Sequence, residues 1–151
     1  MLDRRSVMVA GGALLASACV RGLSGPRAVT AGMPVDPAAT ATPDLVDLAR
    51  FDPRLRFDIR YATANNFMHR VLYPVARAMA QRPAAVALRR VQDRAEAAGY
   101  GLLIHDAYRP WRITRMMWDE TPPAQREFVA NPATGSRHNR GCAIDLSLHQ
   151  H

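Results

Sequence analysis

The stretch that most constrains the fold is Cys142 to Leu148, where apolar and polar side chains alternate. Cys142, Ile144, Leu146 and Leu148 share one parity; Ala143, Asp145 and Ser147 share the other. Side chains on a strand point to opposite faces in turn, so the pattern predicts a strand with one buried face and Asp145 on the other. Before it lies the polar, turn-like run Ser136-Arg137-His138-Asn139-Arg140-Gly141. Gly141 permits a tight turn that folds His138 back toward Asp145, seven positions on. An imidazole and a carboxylate fixed at a strand edge can begin a zinc site. They serve equally as a hydrogen-bonded pair in an ordinary loop, because a catalytic zinc takes three protein ligands and keeps one open position.

A second segment adds an arginine. Leu102 to Ile104 reads as a short buried strand that runs into the polar elbow His105-Asp106-Ala107-Tyr108-Arg109-Pro110. Pro110 pushes the backbone of Arg109 away from the helical region and fixes it at a strand end. Arginines at such turns are most often exposed.

The rest of the domain can be mapped coarsely. Leu55 to Tyr61 is predicted as a strand leading to the Asn65-Asn66 turn. Pro83 opens a helix to about Ala98, stopped by Gly99, with Val86, Leu88, Val91 and Ala95 on its apolar side. Trp111 to Trp118 is predicted helical, with Met116, Met117 and Trp118 in the core. A short helix follows from Pro122-Pro123 to Val129 and stops at Asn131-Pro132. Helices and strands mix without strict alternation, so the fold class is α+β: one small domain, its antiparallel or mixed sheet flanked by helices around the site. His69 and His105 read as surface or structural residues, and Cys142 as a small buried hydrophobe on the apolar face.

Charge excludes one class of partner. All 20 basic residues are arginine, and the net charge is +7. The arginines are scattered and no aromatic residues interleave them, so nucleic acid is not the expected partner. Setting Cys19 aside, Cys142 is the only thiol, and no intrachain disulfide is expected in the mature domain.

Three segments carry a resemblance: Asp58-Ile59-Arg60-Tyr61-Ala62-Thr63-Ala64-Asn65-Asn66-Phe67, Asp106-Ala107-Tyr108-Arg109-Pro110, and Ser136-x-His138-x-x-Gly141-x-Ala143-x-Asp145. In this order and spacing they resemble the D-alanyl-D-alanine dipeptidases of the vancomycin-resistance type, zinc peptidases of a superfamily that also holds D-Ala-D-Ala carboxypeptidases. The likeness covers roughly residues 45 to 148. It implies that His138 and Asp145 are two of three zinc ligands and that Arg109 steadies the oxyanion of the transition state. It also implies that Tyr61, Asp106 and Ser136 lie near the bound dipeptide.

The family carries a Glu-x-x-His segment downstream of its aspartate ligand, supplying the third ligand and the general base. No such segment occurs in these 151 residues: Glu96, Glu120 and Glu127 have no histidine three positions on. The resemblance thus implies a C-terminally truncated domain, with the last part of the family fold missing. His149 shares parity with Asp145, and with His151 it offers a substitute imidazole on a tail that should fray.

Residues 1–18 resemble a secretory signal, with Arg4-Arg5, an apolar run from Val7 to Ala16, then small residues. The run is too short for a membrane span. The paired arginines loosely match a twin-arginine signal, and Ala16-Ser17-Ala18-Cys19 resembles a lipobox that would place a lipid on Cys19. Residues 19–43 are rich in Ala, Pro, Gly, Ser and Thr and read as a flexible tether, with the partial catalytic domain over 44–151.

The expected protein is therefore an exported, lipid-anchored zinc dipeptidase of the cell envelope, touching the membrane only through its anchor. Its substrate would be D-Ala-D-Ala or a peptidoglycan-derived peptide. The rival readings are a related D,D-carboxypeptidase and a catalytically inactive module that binds the same peptides.

Overall fold

In a computed structural model, residues 32–34 and 42–150 are described. The predicted signal, Cys19, most of the tether and His151 lie outside the described residues.

The core is built on β4 (Tyr100–Asp106), whose Leu102 and Ile104 are fully buried. On one side β4 pairs in parallel with β2 (Arg56–Phe57); on the other it pairs antiparallel with β5 (Asp145–Gln150). The mixed three-stranded sheet has the order β2-β4-β5. A second, antiparallel ribbon joins β1 (Leu45–Asp47) to β3 (Met79–Gln81). Among the described residues three α-helices complete the set: α1 (Leu48–Phe51), α2 (Arg82–Ala97) and α3 (Trp111–Glu120). Leu48 from α1, Ala85 and Leu88 from α2, and Ile113 and Met117 from α3 close the core around β4. Short 3-10 turns cover Arg60–Ala62, Pro123–Phe128 and His138–Arg140. This is the expected small α+β domain with a mixed sheet.

Helix α2 is where predicted, with Pro83 in its first turn and Gly99 beyond its end. Its buried side differs from the predicted one. Val86 and Val91 are exposed, and the inward residues are Ala85, Leu88 and Gln92. Gln92 is 0% exposed; its Oε1 accepts the Leu102 N–H at 3.1 Å, and its Nε2 donates to Glu96 at 2.9 Å. The β2 ladder reaches only Leu103, so Leu102 lies past its end and Gln92 satisfies its amide. A polar residue on the inner stripe hid the true phase of the helix.

Two strand predictions need correction. The predicted Leu55–Tyr61 strand pairs only at Arg56–Phe57, then tightens into the 3-10 turn at Arg60. Strand pairing at the other end begins at Asp145, not Cys142, and Cys142 is exposed. The Cys142 amide donates to Arg137 O at 3.0 Å, which keeps that residue in the preceding loop and off the sheet.

Candidate metal centre

Gly141 sets the approach to the site. Its φ is +69°, and a Cβ there would lie 2.6 Å from Leu45 Cδ2. A residue without a side chain is therefore required, both for the left-handed turn and for the close approach to β1. The turn closes through Gly141 N–H to His138 O at 3.0 Å, with His138 folded toward the start of β5.

A β-bulge supplies the opposite wall. Ile104 pairs with Leu146, but the next pair is Asp106 with Asp145, so β4 holds one extra residue at His105. The bulge re-aims β4 and brings both aspartates to one end of the sheet. One nitrogen or oxygen from each of Asp106, His138 and Asp145 falls within 4.8 Å of the other two.

The three donors are not equivalent. The His138 Nδ1–H donates to the Ala107 carbonyl at 2.8 Å. That bond fixes the ring and turns Nε2 toward Asp145, 3.5 Å from its Oδ1. Two ligands about 2.0–2.1 Å from a tetrahedral zinc lie about 3.4 Å apart, so this pair already has ligand spacing. Asp106 has no such freedom. Its Oδ1 accepts from Tyr73 Oη at 2.8 Å and from the Ala107 amide at 2.9 Å. Its Oδ2 accepts from Arg109 Nη2 at 2.6 Å and Nε at 3.0 Å. A carboxylate with both oxygens committed serves to hold its partners in place.

Arg109 is the main partner so held. It is only 8% exposed, unlike most arginines at such turns, and its guanidinium lies 5.4 Å from the Tyr61 ring. Nη2 also comes within 3.9 Å of Asp145 Oδ2. Burial works against the charge of Arg109, but Asp106 outweighs it and holds the guanidinium above its ordinary range. The hydrogen bond with Asp145 raises the His138 pKa against burial, and the same bond lowers that of Asp145. Burial pushes the Tyr61 and Tyr73 hydroxyls up, so both stay neutral.

Beside these groups opens a cleft of about 580 Å³ lined by Arg60, Tyr61, Asn65, Asn66, Phe67, His105, Asp106 and Asp145. The structure brings Tyr61, Asp106 and Asp145, all named from the sequence, onto this one lining. Ser136 stands apart from this lining; its Oγ accepts the Asn139 amide at 3.2 Å, capping the site turn. His105, read as structural, is on the cleft wall with Nε2 2.9 Å from Ser147 Oγ. His149 cannot complete the pair within its own chain: it lies four residues along an extended strand, about 13 Å away, and its ring covers Gly101.

Sequence reasoning passed over three supporting residues. Tyr73 anchors Asp106 from 33 positions away. Asn139 ties the site turn to α3, its Nδ2 donating to Arg109 O at 2.9 Å and Thr114 Oγ1 at 2.8 Å. Asn66 folds its own loop by donating to Thr63 O and Arg70 O, both at 2.7 Å. Only Asn66 left a signal, as half of the Asn-Asn turn.

The fold and site together define a class: an α+β domain with a ligand-spaced imidazole–carboxylate pair beside a buried arginine at a cleft. The chain belongs to the peptidase family described as D-ala-D-ala dipeptidase, whose family model matches residues 41–151. It is similar to a D-alanyl-D-alanine dipeptidase of Escherichia coli strain K12, 39% identical over 107 residues, covering 71% of this chain and 54% of that protein. The dipeptidases of that name from Streptomyces coelicolor and Enterococcus faecalis are 32% and 34% identical, each over 63% of this chain and 56% of its own length. The chain thus spans about half the length of the curated relatives it matches.

Proposed function

We propose that this chain carries the metal and oxyanion groups of a zinc-dependent peptidase that hydrolyses D-alanyl-D-alanine. The observation that carries the reading is the His138 Nε2–Asp145 Oδ1 spacing of 3.5 Å, with Arg109 Nη2 3.9 Å from the same carboxylate, in a chain of this family.

His138 and Asp145 would hold the ion, and two imidazole and carboxylate donors suit zinc. Bound zinc supplies an acidified water and a polarised carbonyl. The chain's own residues do the remaining work. Arg109 presents fixed positive charge to an oxygen that becomes negative only as the barrier is climbed, which lowers the barrier without tightening substrate binding. Asp106 and the Tyr61 ring hold that guanidinium in place before substrate arrives, so no reorganisation is needed. The Ala107 carbonyl keeps His138 in the tautomer that leaves Nε2 for the ion. Tyr61 lines the cleft and would contact a short dipeptide; Asp106 would act through the Arg109 it holds, and Ser136 through the turn it caps.

One observation favours a second reading, a module that binds D-Ala-D-Ala without turnover. Among the described residues the glutamates are engaged elsewhere or exposed: Glu96 pairs with Arg54, Glu120 with Arg70, and Glu127 is exposed. None of these three is assigned as the general base that release of D-alanine needs. Release of D-alanine from D-Ala-D-Ala, stopped by a chelator and restored by zinc, is the expected result. Zinc-dependent dipeptide binding without release supports the second reading, and no zinc-dependent binding of either kind overturns both.

For location we propose export to the cell envelope with a lipid on Cys19, on the strength of the N-terminal pattern alone. Among the described residues no helix is long and apolar enough to cross a membrane. Failure of residues 1–43 to export a reporter removes this part.

A further inference from the structure

The basic groups around the cleft differ in what they hold. Arg109 is committed to Asp106 and faces Asp145. The His105 ring has Nε2 2.9 Å from Ser147 Oγ and Nδ1 3.8 Å from Asp58 Oδ2. Arg60, on the same cleft wall, donates its Nε–H to that Asp58 oxygen at 2.8 Å. Among the described residues its terminal nitrogens meet no other acceptor. Those two nitrogens form the planar fork that matches a carboxylate.

The backbone beneath Arg60 is tied on both sides. Its N–H donates to Asp58 O at 3.0 Å, and its carbonyl accepts from the Thr63 N–H and from Thr63 Oγ1, both at 2.9 Å. The Asp58 N–H donates to Ile104 O at 2.9 Å, which fixes this segment to β4. The next carbonyl, that of Tyr61, accepts the amides of Leu72 and Tyr73, both at 2.8 Å. Arg60 opens the 3-10 turn that carries Tyr61, whose ring lies 5.4 Å from the Arg109 guanidinium. One turn thus holds a cation on the cleft wall and touches the group assigned to the oxyanion.

We propose that Arg60 binds the C-terminal carboxylate of the dipeptide and so restricts the site to peptides that end one residue past the bond cut. The proposal rests on the dipeptidase reading above for its ligand. In D-Ala-D-Ala the terminal carboxylate follows the scissile carbonyl by a single residue, about 3.3–3.6 Å of extended chain. The cation that reads it must stand close to the oxyanion position, and Arg60 is next in sequence to the ring that meets Arg109. Asp58 holds the guanidinium through Nε alone, which leaves the fork for the ligand. An exposed Arg–Asp pair adds little to stability, so the pair serves chiefly to aim the fork. A peptide that continues past this point offers a neutral amide there, without the charge that the fork is suited to bind.

The test compares D-Ala-D-Ala with its C-terminal amide on the full chain with zinc present, by calorimetric titration and by release of the C-terminal residue. The acid should bind at least about tenfold more tightly than the amide, the ratio expected of a hydrogen bond to a charged group. Arg60→Gln should weaken binding of the acid by about that factor and hardly change the amide. Arg60→Lys, which keeps the charge without the fork, should restore part of the preference. Where the bond is cut, the loss should fall on KM more than on kcat. Equal binding of acid and amide by the unaltered chain, a comparison that needs no variant, overturns the proposal. So does an Arg60→Gln chain with a folded circular dichroism spectrum that keeps the preference or weakens both ligands alike. If the Arg60-dependent preference appears but no zinc binds and no bond is cut, the peptidase reading fails and the carboxylate role stands. If neither form of the dipeptide binds, both fail.

Discussion

Arg109 and Asp106 form the tightest buried pair of the site, and most of its preorganisation follows from it. Removing one partner of such a pair leaves the other charged and buried. Arg109→Ala should therefore destabilise the chain by about 3 kcal/mol, the lower part of the range for broken buried pairs, because Tyr73 and the Ala107 amide still serve Asp106. Urea unfolding measures this. Arg109→Lys keeps the charge but loses the two-pronged contact to Asp106 Oδ2. It should fold, and it should lose dipeptide turnover by at least about tenfold, with less change in dipeptide binding, as expected for a group that acts mainly on the transition state. Steady-state assay with a separate binding titration distinguishes the two effects.

At this scale, sequence legibility followed chain locality. His138, Gly141 and Asp145 lie in one short run, and the turn and strand that join them could be read directly. Arg109 was found for its position, but its burial was not foreseen. Nothing near it in sequence announces Tyr73 or Asn139, whose partners lie 33 and 30 positions away. Cys142 shows the opposite error: an alternating pattern was extended one turn too far, into a loop held by Arg137 O.

At the scale of elements, two contacts decide how the pieces meet. Gln92 joins α2 to β4 through the Leu102 amide. Gln92→Leu leaves that buried N–H without its acceptor and should cost about 1–3 kcal/mol despite the gain in apolar surface. Gly141 joins the site turn to β1. Gly141→Ala places a methyl 2.6 Å from Leu45 Cδ2 in a left-handed residue, so it should cost at least about 1–3 kcal/mol and should weaken zinc binding as His138 shifts. Denaturation and zinc titration of that variant check both effects. The helices α2 and α3 were legible because each has a proline start and an apolar period. The ribbon of β1 with β3 was not, because three-residue strands carry too little pattern to stand out.

For the whole molecule, ion pairs join elements far apart in sequence, as Arg54 does with Glu96 and Arg70 with Glu120. Buried Asp52 accepts from Arg54 at 2.6 and 2.8 Å and lies 3.6 Å from Arg89, which ties the end of α1 to α2. The hydrogen bonds from Arg54 outweigh burial and hold the Asp52 carboxyl below its ordinary value. A depressed native pKa contributes stability that is complete above the unfolded value, about 3.9, and is lost as pH falls through the native one. Asp52→Asn should lower the melting temperature at neutral pH and flatten its dependence on pH below about 4. A melting series across that range reads both. The α+β class was visible from the mixture of helical and strand patterns. The mixed order β2-β4-β5 was not, since a parallel pairing between residues nearly fifty positions apart leaves no local mark.

The central claim is that His138 and Asp145 hold the metal, and a zinc titration of the full chain tests it most directly. The account predicts zinc binding that falls at least about tenfold in His138→Ala and in Asp145→Ala, a loss at least as large as that from removing a group that only orients a ligand, with folded circular dichroism spectra retained. Wild-type affinity in both folded variants would contradict it.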